Sequence, residues 1–238
     1  MTTPAAIVLV AMDEEAEPFL AEAGTDSEPR AVGNALQWDL EIGGRPILLV
    51  RTGIGLVNAA GGLTAAILRA REAGGSPLVV SAGSAGGLGE EVRVGDVVLG
   101  AEYVQTDADA RAFGYALGQV PGMPARYSGH GSALAAELPD RLPTGEALVL
   151  RRGLIVSSDT FVSSDHVDRV RAAFPGALAT DMESVALAQT AFVHGLEFVS
   201  VRGISDLCAP GEFEAHIDGA ADRSAAVVLS LLDVLAAA

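Results

Sequence analysis

The chain has 238 residues, 50% hydrophobic and only 5% aromatic, with 28 glycines, a balance that suits a compact α/β protein with a sizeable core. Its 31 acidic against 15 basic residues give a net charge of −16, which repels phosphate backbones and anionic membrane surfaces and argues against nucleic acid or a membrane as partner. The single cysteine, Cys208, excludes an internal disulfide and a multi-cysteine zinc site and fits a reducing cytoplasm, where we expect the protein to act.

Ala6 to Val10 is a continuous apolar run and predicts a buried first strand, too short to span a membrane and followed at once by Asp13-Glu14-Glu15. Those acidic residues suit a surface turn or the first turn of a helix. Glu15 also stands at the strand's carboxyl end, where open α/β sheets place their ligand crevice. Leu36 to Ile42 and Pro46 to Val50 flank Gly43-Gly44 and predict a hairpin. Next, Arg51-Thr52-Gly53-Ile54-Gly55 runs into a long Ala/Leu helix ending near Gly74-Gly75, and a strand, a glycine turn and a helix make a possible anion cradle. The pattern is neither G-x-G-x-x-G nor a P-loop, so neither a dinucleotide nor a triphosphate is indicated.

Pro77 to Val80 predicts another buried strand. It empties into Ser81-Ala82-Gly83-Ser84-Ala85-Gly86-Gly87, read either as a flexible turn or as backbone that a ligand can approach closely. Val92 to Leu99 starts the next strand. From Thr106 to Tyr127 there is little periodicity, only a long loop carrying Phe113, Tyr115 and Pro121, of a length that is usually functional or covered by a partner. Glu146 to Val156 is an apolar run broken by Arg151-Arg152, and Ser157-Ser158-Asp159-Thr160-Phe161-Val162 follows it. Phe161, just past a strand end, can pack in the core or stack on a planar base.

Ser163 to Phe174 reads as helix and Leu178 to Asp181 as extended. Val185, Ala188, Ala191 and Phe192 recur at helical spacing behind Glu183, and Gly195 stops that helix. Phe198, Val199, Val201 and Ile204 predict a buried parallel strand ending on Ser205 and Asp206. Ile217 to Ala237 predicts a terminal packing helix. Strands alternate with helices and no linker divides residues 1–238, which predicts one α/β domain with a mixed central sheet flanked by helices.

No nucleophile stands out: Cys208 has no nearby histidine in sequence and no G-x-S-x-G elbow occurs. His130, His166, His194 and His216 lack metal-ligand spacing, so we expect no metal. Carboxyl groups remain. One carboxylic acid and one carboxylate can break a glycosidic bond between them, the first protonating the leaving group and the second activating water against an oxocarbenium-like centre.

The motifs Ala11-Met12-Asp13-Glu14-Glu15, Gly53-Ile54-Gly55 with Val57-Asn58-Ala59-Ala60, Gly83-Ser84-Ala85-Gly86-Gly87-Leu88, Val94-Gly95-Asp96, Gly153-Leu154-Ile155-Val156-Ser157, Met182-Glu183 and Val201-Arg202-Gly203-Ile204-Ser205-Asp206 span nearly the whole chain. Together with Asp107-Ala108-Asp109-Ala110, Ala112-Phe113-Gly114-Tyr115 and Gly118-Gln119-Val120-Pro121-Gly122, the sequence closely resembles the bacterial 5′-methylthioadenosine/S-adenosylhomocysteine nucleosidases of the nucleoside phosphorylase superfamily. The resemblance implies hydrolysis of those two nucleosides, and of 5′-deoxyadenosine, to adenine and a 5-substituted ribose, without a cofactor. By family pattern Asp206 protonates N7 of adenine with Ser205 orienting it, Glu15 activates water, and Glu183 binds the ribose hydroxyls beside Met182. Phe161 stacks on the purine and the backbone of Val162 reads its edge. Met12, Ile54, Ser84, Ala85 and Gly86 line the pocket.

The resemblance also implies a homodimer, in which Phe113, Tyr115 and Pro121 of the 106–127 loop complete the neighbouring site. Asp181, Ser158 and Leu56 depart from residues common in the family. Rival readings are a phosphorolytic relative, for which Arg51 is the one strong cation near a glycine turn, a futalosine-type nucleoside hydrolase, and a non-catalytic nucleoside-binding protein.

Overall fold

The computed structural model describes residues 2–24, 27–208 and 213–237. The chain opens with β1 (Ala6–Val10), α1 (Asp13–Ala23), β2 (Arg30–Val32) and the hairpin of β3 (Ala35–Ile42) and β4 (Arg45–Arg51). Gly43 and Gly44 connect that hairpin with φ of 57° and 73°, left-handed values that match the twist of the flanking strands. α2 (Leu56–Glu72) and β5 (Leu78–Gly87) follow, then β6 (Val97–Gln105), β7 (Tyr127–Ser128), α3 (Gly131–Ala135), β8 (Leu150–Ser157) and α4 (Ser164–Ala173). β9 (Ala177–Asp181), α5 (Ser184–His194), β10 (Phe198–Asp206) and α6 (Phe213–Ala237) complete the order.

The strands form one mixed sheet in the order β2-β3-β4-β1-β5-β10-β6-β8-β9, with β7 beside β6. β1 runs parallel to β4 and β5, and β5 parallel to β10, while β10 meets β6 antiparallel. β6 is parallel to β8 and β8 to β9. Gly86 and Gly87 at the end of β5 also pair with Thr180 and Ala179 of β9. The strands β5, β10, β6, β8 and β9 therefore close into a ring, a feature the alternation of strands and helices does not reveal.

Because side chains alternate across a strand, Ala6, Val8 and Val10 of β1 face one hydrophobic cluster and Ile7 and Leu9 another. α1 and α6 cover the first cluster, α2 and α5 the second. Each fully buried Val, Leu or Ile contributes about 1.5–3 kcal/mol relative to exposure, which is why both helical layers stay in place.

Two boundaries differ from expectation. The glycine-rich segment after Val80 is not a turn: β5 continues to Gly87 because β10 pairs with it almost throughout, from Val79 to Gly86, and that ladder overrides the low strand propensity of glycine. β6 begins at Val97, since the Asp96 carboxylate accepts the Arg93 N–H (3.1 Å) and holds 93–96 as a turn. β10 ends on Ser205 and Asp206, as its pattern predicts. β2, β7 and α3 are short elements with no clear pattern in the sequence.

Candidate active site

Where β1, β5, β9 and β10 end, a cleft of about 650 Å³ counting its open mouth has the size of a small-molecule site. Its walls include Glu15, Glu183 and Asp206 with Met12, Ile54, Ser84, Ala85, Gly86, Phe161, Val162, Met182 and Ser205. Ala11, Thr160, Thr180 and Asp181 complete it. Phe113, Tyr115 and Pro121 are not among its lining residues, and Phe113 lies 83% exposed on the surface. Among the described residues, no group of three or more His, Cys, Asp or Glu side chains is arranged to hold a metal ion.

Glu15 sits in the first turn of α1, and its side chain turns back to the chain entering the helix. Its Oε2 accepts the N–H groups of Ala11 (2.8 Å) and Met12 (3.3 Å), and its Oε1 accepts the N–H (2.8 Å) and hydroxyl (2.9 Å) of Ser84. Carboxylates so placed satisfy helix N–H groups that have no intrahelical partner. Gly83 makes room for this. A Cβ there would lie 2.5 Å from Glu15 Oε1, and the residue's φ of 143° disfavours any other side chain. The Gly83 N–H is taken by Ser224 Oγ of α6 (2.9 Å), whose own proton goes to the Val201 carbonyl (2.8 Å). The terminal helix thus pins the strand that carries Ser84, beyond the packing role its sequence suggests.

Asp206 is buried. Its Oδ1 accepts the Cys208 N–H (2.7 Å), and its Oδ2 lies 2.8 Å from Ser205 Oγ. Ser205 Oγ is also 3.3 Å from the Ala85 carbonyl oxygen. A hydroxyl has one proton, so Ser205 can donate to Asp206 when that carboxyl is an anion, or to Ala85 while accepting from a protonated Asp206.

Glu183 precedes the first turn of α5 and is 5% exposed. Its Oε1 accepts the Gly55 N–H at the start of α2 (3.0 Å), and its Oε2 is 3.5 Å from Arg202 Nη1. Burial pushes its carboxyl up to about 7. Nearby Asp181 and Glu15 push the same way, while the Arg202 guanidinium and the Gly55 N–H oppose them.

Arg202, fully buried in β10, is the functional residue most easily overlooked. Its Nε pairs with Asp181 Oδ2 (2.8 Å), Nη2 donates to Ser81 Oγ (2.7 Å), and Nη1 donates to the Ser84 carbonyl (3.3 Å). Asp181 further accepts the hydroxyls of Ser157 (2.5 Å) and Ser184 and the Ser184 N–H (3.1 Å). The available signal was a charged residue inside the apolar run Val199–Ile204, since such residues are almost never buried unpaired. The glycine turn before α2 does cradle anions, but they are the protein's own: Gly55 holds Glu183, and the Leu56 N–H holds Asp159 Oδ1 (2.8 Å).

A model of the Phosphorylase superfamily matches residues 5–233. The 5′-methylthioadenosine/S-adenosylhomocysteine nucleosidase of Haemophilus influenzae (strain PittEE) is 35% identical over 232 residues, 96% of this chain and 98% of that one. The chain belongs to this nucleosidase family of the phosphorylase superfamily. The crystal structure of the Neisseria meningitidis nucleosidase in complex with methylthio-immucillin-A is 37% identical, with a TM-score of 0.84 over 95% of this chain and 97% of that one. The futalosine hydrolase of Helicobacter pylori strain 26695 shares the nucleosidase architecture at 27% identity, with a TM-score of 0.83 over 97% and 98% of the two chains. Among the described residues, no helix of this family member is long and apolar enough to cross a membrane.

Proposed function

We propose that this chain hydrolyses the N-glycosidic bond of 5′-methylthioadenosine and S-adenosylhomocysteine, releasing adenine and the 5-substituted ribose. The observation that carries this reading is that Glu15, Glu183 and Asp206, from opposite ends of the sequence, open into one cleft. Asp206 is the general acid. Its Oδ1 is occupied by the Cys208 N–H, so the transferable proton belongs on Oδ2, facing Ser205. Once that proton has passed to N7 of the leaving base, the Ser205 hydroxyl swings from the Ala85 carbonyl to the new carboxylate and stabilises it.

Glu15, whose two oxygens accept four protein donors, holds the attacking water and takes its proton. Glu183 accepts from the ribose hydroxyls beside Met182, Phe161 stacks on the purine, and Val162 reads the edge of the base. Three carboxyl groups, those of Glu15, Asp181 and Glu183, act on the single Arg202 guanidinium. That excess of negative charge favours the cationic, oxocarbenium-like sugar over the neutral substrate.

Water rather than phosphate is the acceptor in this reading. Among the described residues, no arginine or histidine lines the cleft, and Arg51 is engaged by Asp13 (2.9 Å), so a phosphate would meet carboxylates without the cations it needs. We further propose that the enzyme is a cytoplasmic homodimer in which the 106–127 loop closes the neighbouring cleft; the exposure of Phe113 and Val57, at 83% and 81%, supports an apolar contact with a second copy.

The test is release of free adenine from methylthioadenosine, S-adenosylhomocysteine and aminodeoxyfutalosine, with and without phosphate. Rapid, phosphate-independent release from the two thio-nucleosides is expected. Dependence on phosphate, a clear preference for the futalosine, or adenine binding without turnover would each replace this reading with the corresponding rival.

A further inference from the structure

Asp159 is an exposed residue between β8 and α4, outside the cleft lining. Its Oδ1 accepts the Leu56 N–H at 2.8 Å, and Leu56 is the first residue of α2. The preceding amide, Gly55 N–H, goes to Glu183 Oε1 at 3.0 Å. Two consecutive amides at one helix start thus hold two carboxylates from distant parts of the chain, at the end where the helix carries positive partial charge. Gly55 accommodates the second one. Its φ is 104°, and a Cβ there would lie 2.9 Å from Asp159 Oδ1.

What Asp159 carries with it is the next three residues, Thr160, Phe161 and Val162, all on the cleft wall. The segment is compact: Ser158 Oγ accepts the Thr160 N–H (3.3 Å), and the Ser158 N–H goes to the Asp181 carbonyl (3.3 Å). Ser158 therefore fixes one end of this turn to β9, and Asp159 fixes it to α2.

We propose that Asp159 is a positioning residue that sets the distance between the base-stacking ring of Phe161 and the ribose anchor Glu183, using the start of α2 as their common reference. It touches no reacting atom. This inference rests on the nucleosidase reading, since it assigns Phe161 to the base and Glu183 to the sugar. Because Asp159 is exposed, its loss should alter substrate fit more than global stability.

The test compares Asp159→Ala, Asp159→Asn and Leu56→Pro with the unaltered chain. Asp159→Ala is expected to raise both the KM for methylthioadenosine and the Kd for adenine about tenfold, with kcat changed by less than about threefold. Its Tm should stay within about 2 °C. Asp159→Asn, whose side-chain carbonyl still accepts from Leu56, recovers most of the affinity. Leu56→Pro deletes the donor at a first helical position, where proline is tolerated, and reproduces the higher KM; the double variant Asp159→Ala/Leu56→Pro is no worse than either single one. Unchanged KM and adenine affinity in Asp159→Ala overturn the proposal, as does a fall in kcat as large as that in kcat/KM. If the unaltered chain releases no adenine, the nucleosidase reading fails first and this proposal falls with it.

Discussion

The floor of the cleft and the apolar surface around it differ in how far a single chain finishes them. Glu15, Asp181, Glu183 and Asp206 are all at most 7% exposed; the first three are hydrogen-bonded by residues of another segment, and Asp206 by its neighbours Ser205 and Cys208. Ile54 and Phe161, which also line the cleft, are 49% and 55% exposed, and Phe113 is 83% exposed. Charges must be paired when buried, because an unpaired one costs several kcal/mol; apolar rims tolerate exposure and can wait for a ligand or a second copy. The difference teaches that the buried carboxyl groups are fixed by the fold of one chain, while the apolar rim is left open to solvent.

Three measurements can break or sharpen that contrast. The largest effect belongs to the floor: Asp206→Asn keeps the shape of the side chain but removes the transferable proton, and adenine release from methylthioadenosine should fall by about 10²–10⁴-fold with an unchanged melting curve. Turnover near that of the unaltered chain would remove Asp206 from the chemistry.

An intermediate effect follows from Glu183, whose carboxyl is raised from 4.5 to about 7. In the folded chain the neutral form is favoured, so the stability it contributes is complete below about pH 4.5 and is lost as pH rises through about 7. If Glu183 binds the ribose as proposed, binding runs the other way, because the ionised form is the better acceptor. KM should fall as pH rises through about 7, and Glu183→Gln should flatten both profiles; a profile that survives the substitution assigns the titration elsewhere.

The smallest effect lies outside the floor. Phe113→Ala should raise KM for methylthioadenosine about threefold where copies associate and leave kcat unaltered, with sedimentation reporting the assembly. Identical kinetics and identical sedimentation would mean that the loop covers no neighbouring site.

Much of this arrangement was legible because periodicity and strand ends are local signals. Ala6–Val10, the Gly43-Gly44 hairpin, the α5 helix stopped by Gly195 and the strand ending on Asp206 all lie where their patterns put them. Carboxylates at strand ends drew attention to Glu15 and Asp206 because α/β sheets expose their ligands there. The course of Ser81–Gly87 was not legible, since pairing with β10 decides it and pairing leaves no mark in glycines and alanines. Ring closure through Gly86 and Gly87 was hidden for the same reason. Arg202 was overlooked because a guanidinium inside an apolar run acquires its meaning only when Asp181 and Glu183 arrive from another segment. The turn before α2 was recognised as an anion cradle, but not that the chain fills it with its own side chains.

The contact between Gly83 and Glu15 reaches beyond this one molecule. A methyl group at position 83 and a carboxylate at position 15 compete for the same space, so the two sites should be inherited as a unit. A descendant that keeps the acid is bound to glycine on the facing strand, and one that gives up the acid loses the steric part of that restriction, with only the backbone φ of 143° still favouring glycine. Drift at position 83 would then mark the lineages in which hydrolysis has been abandoned.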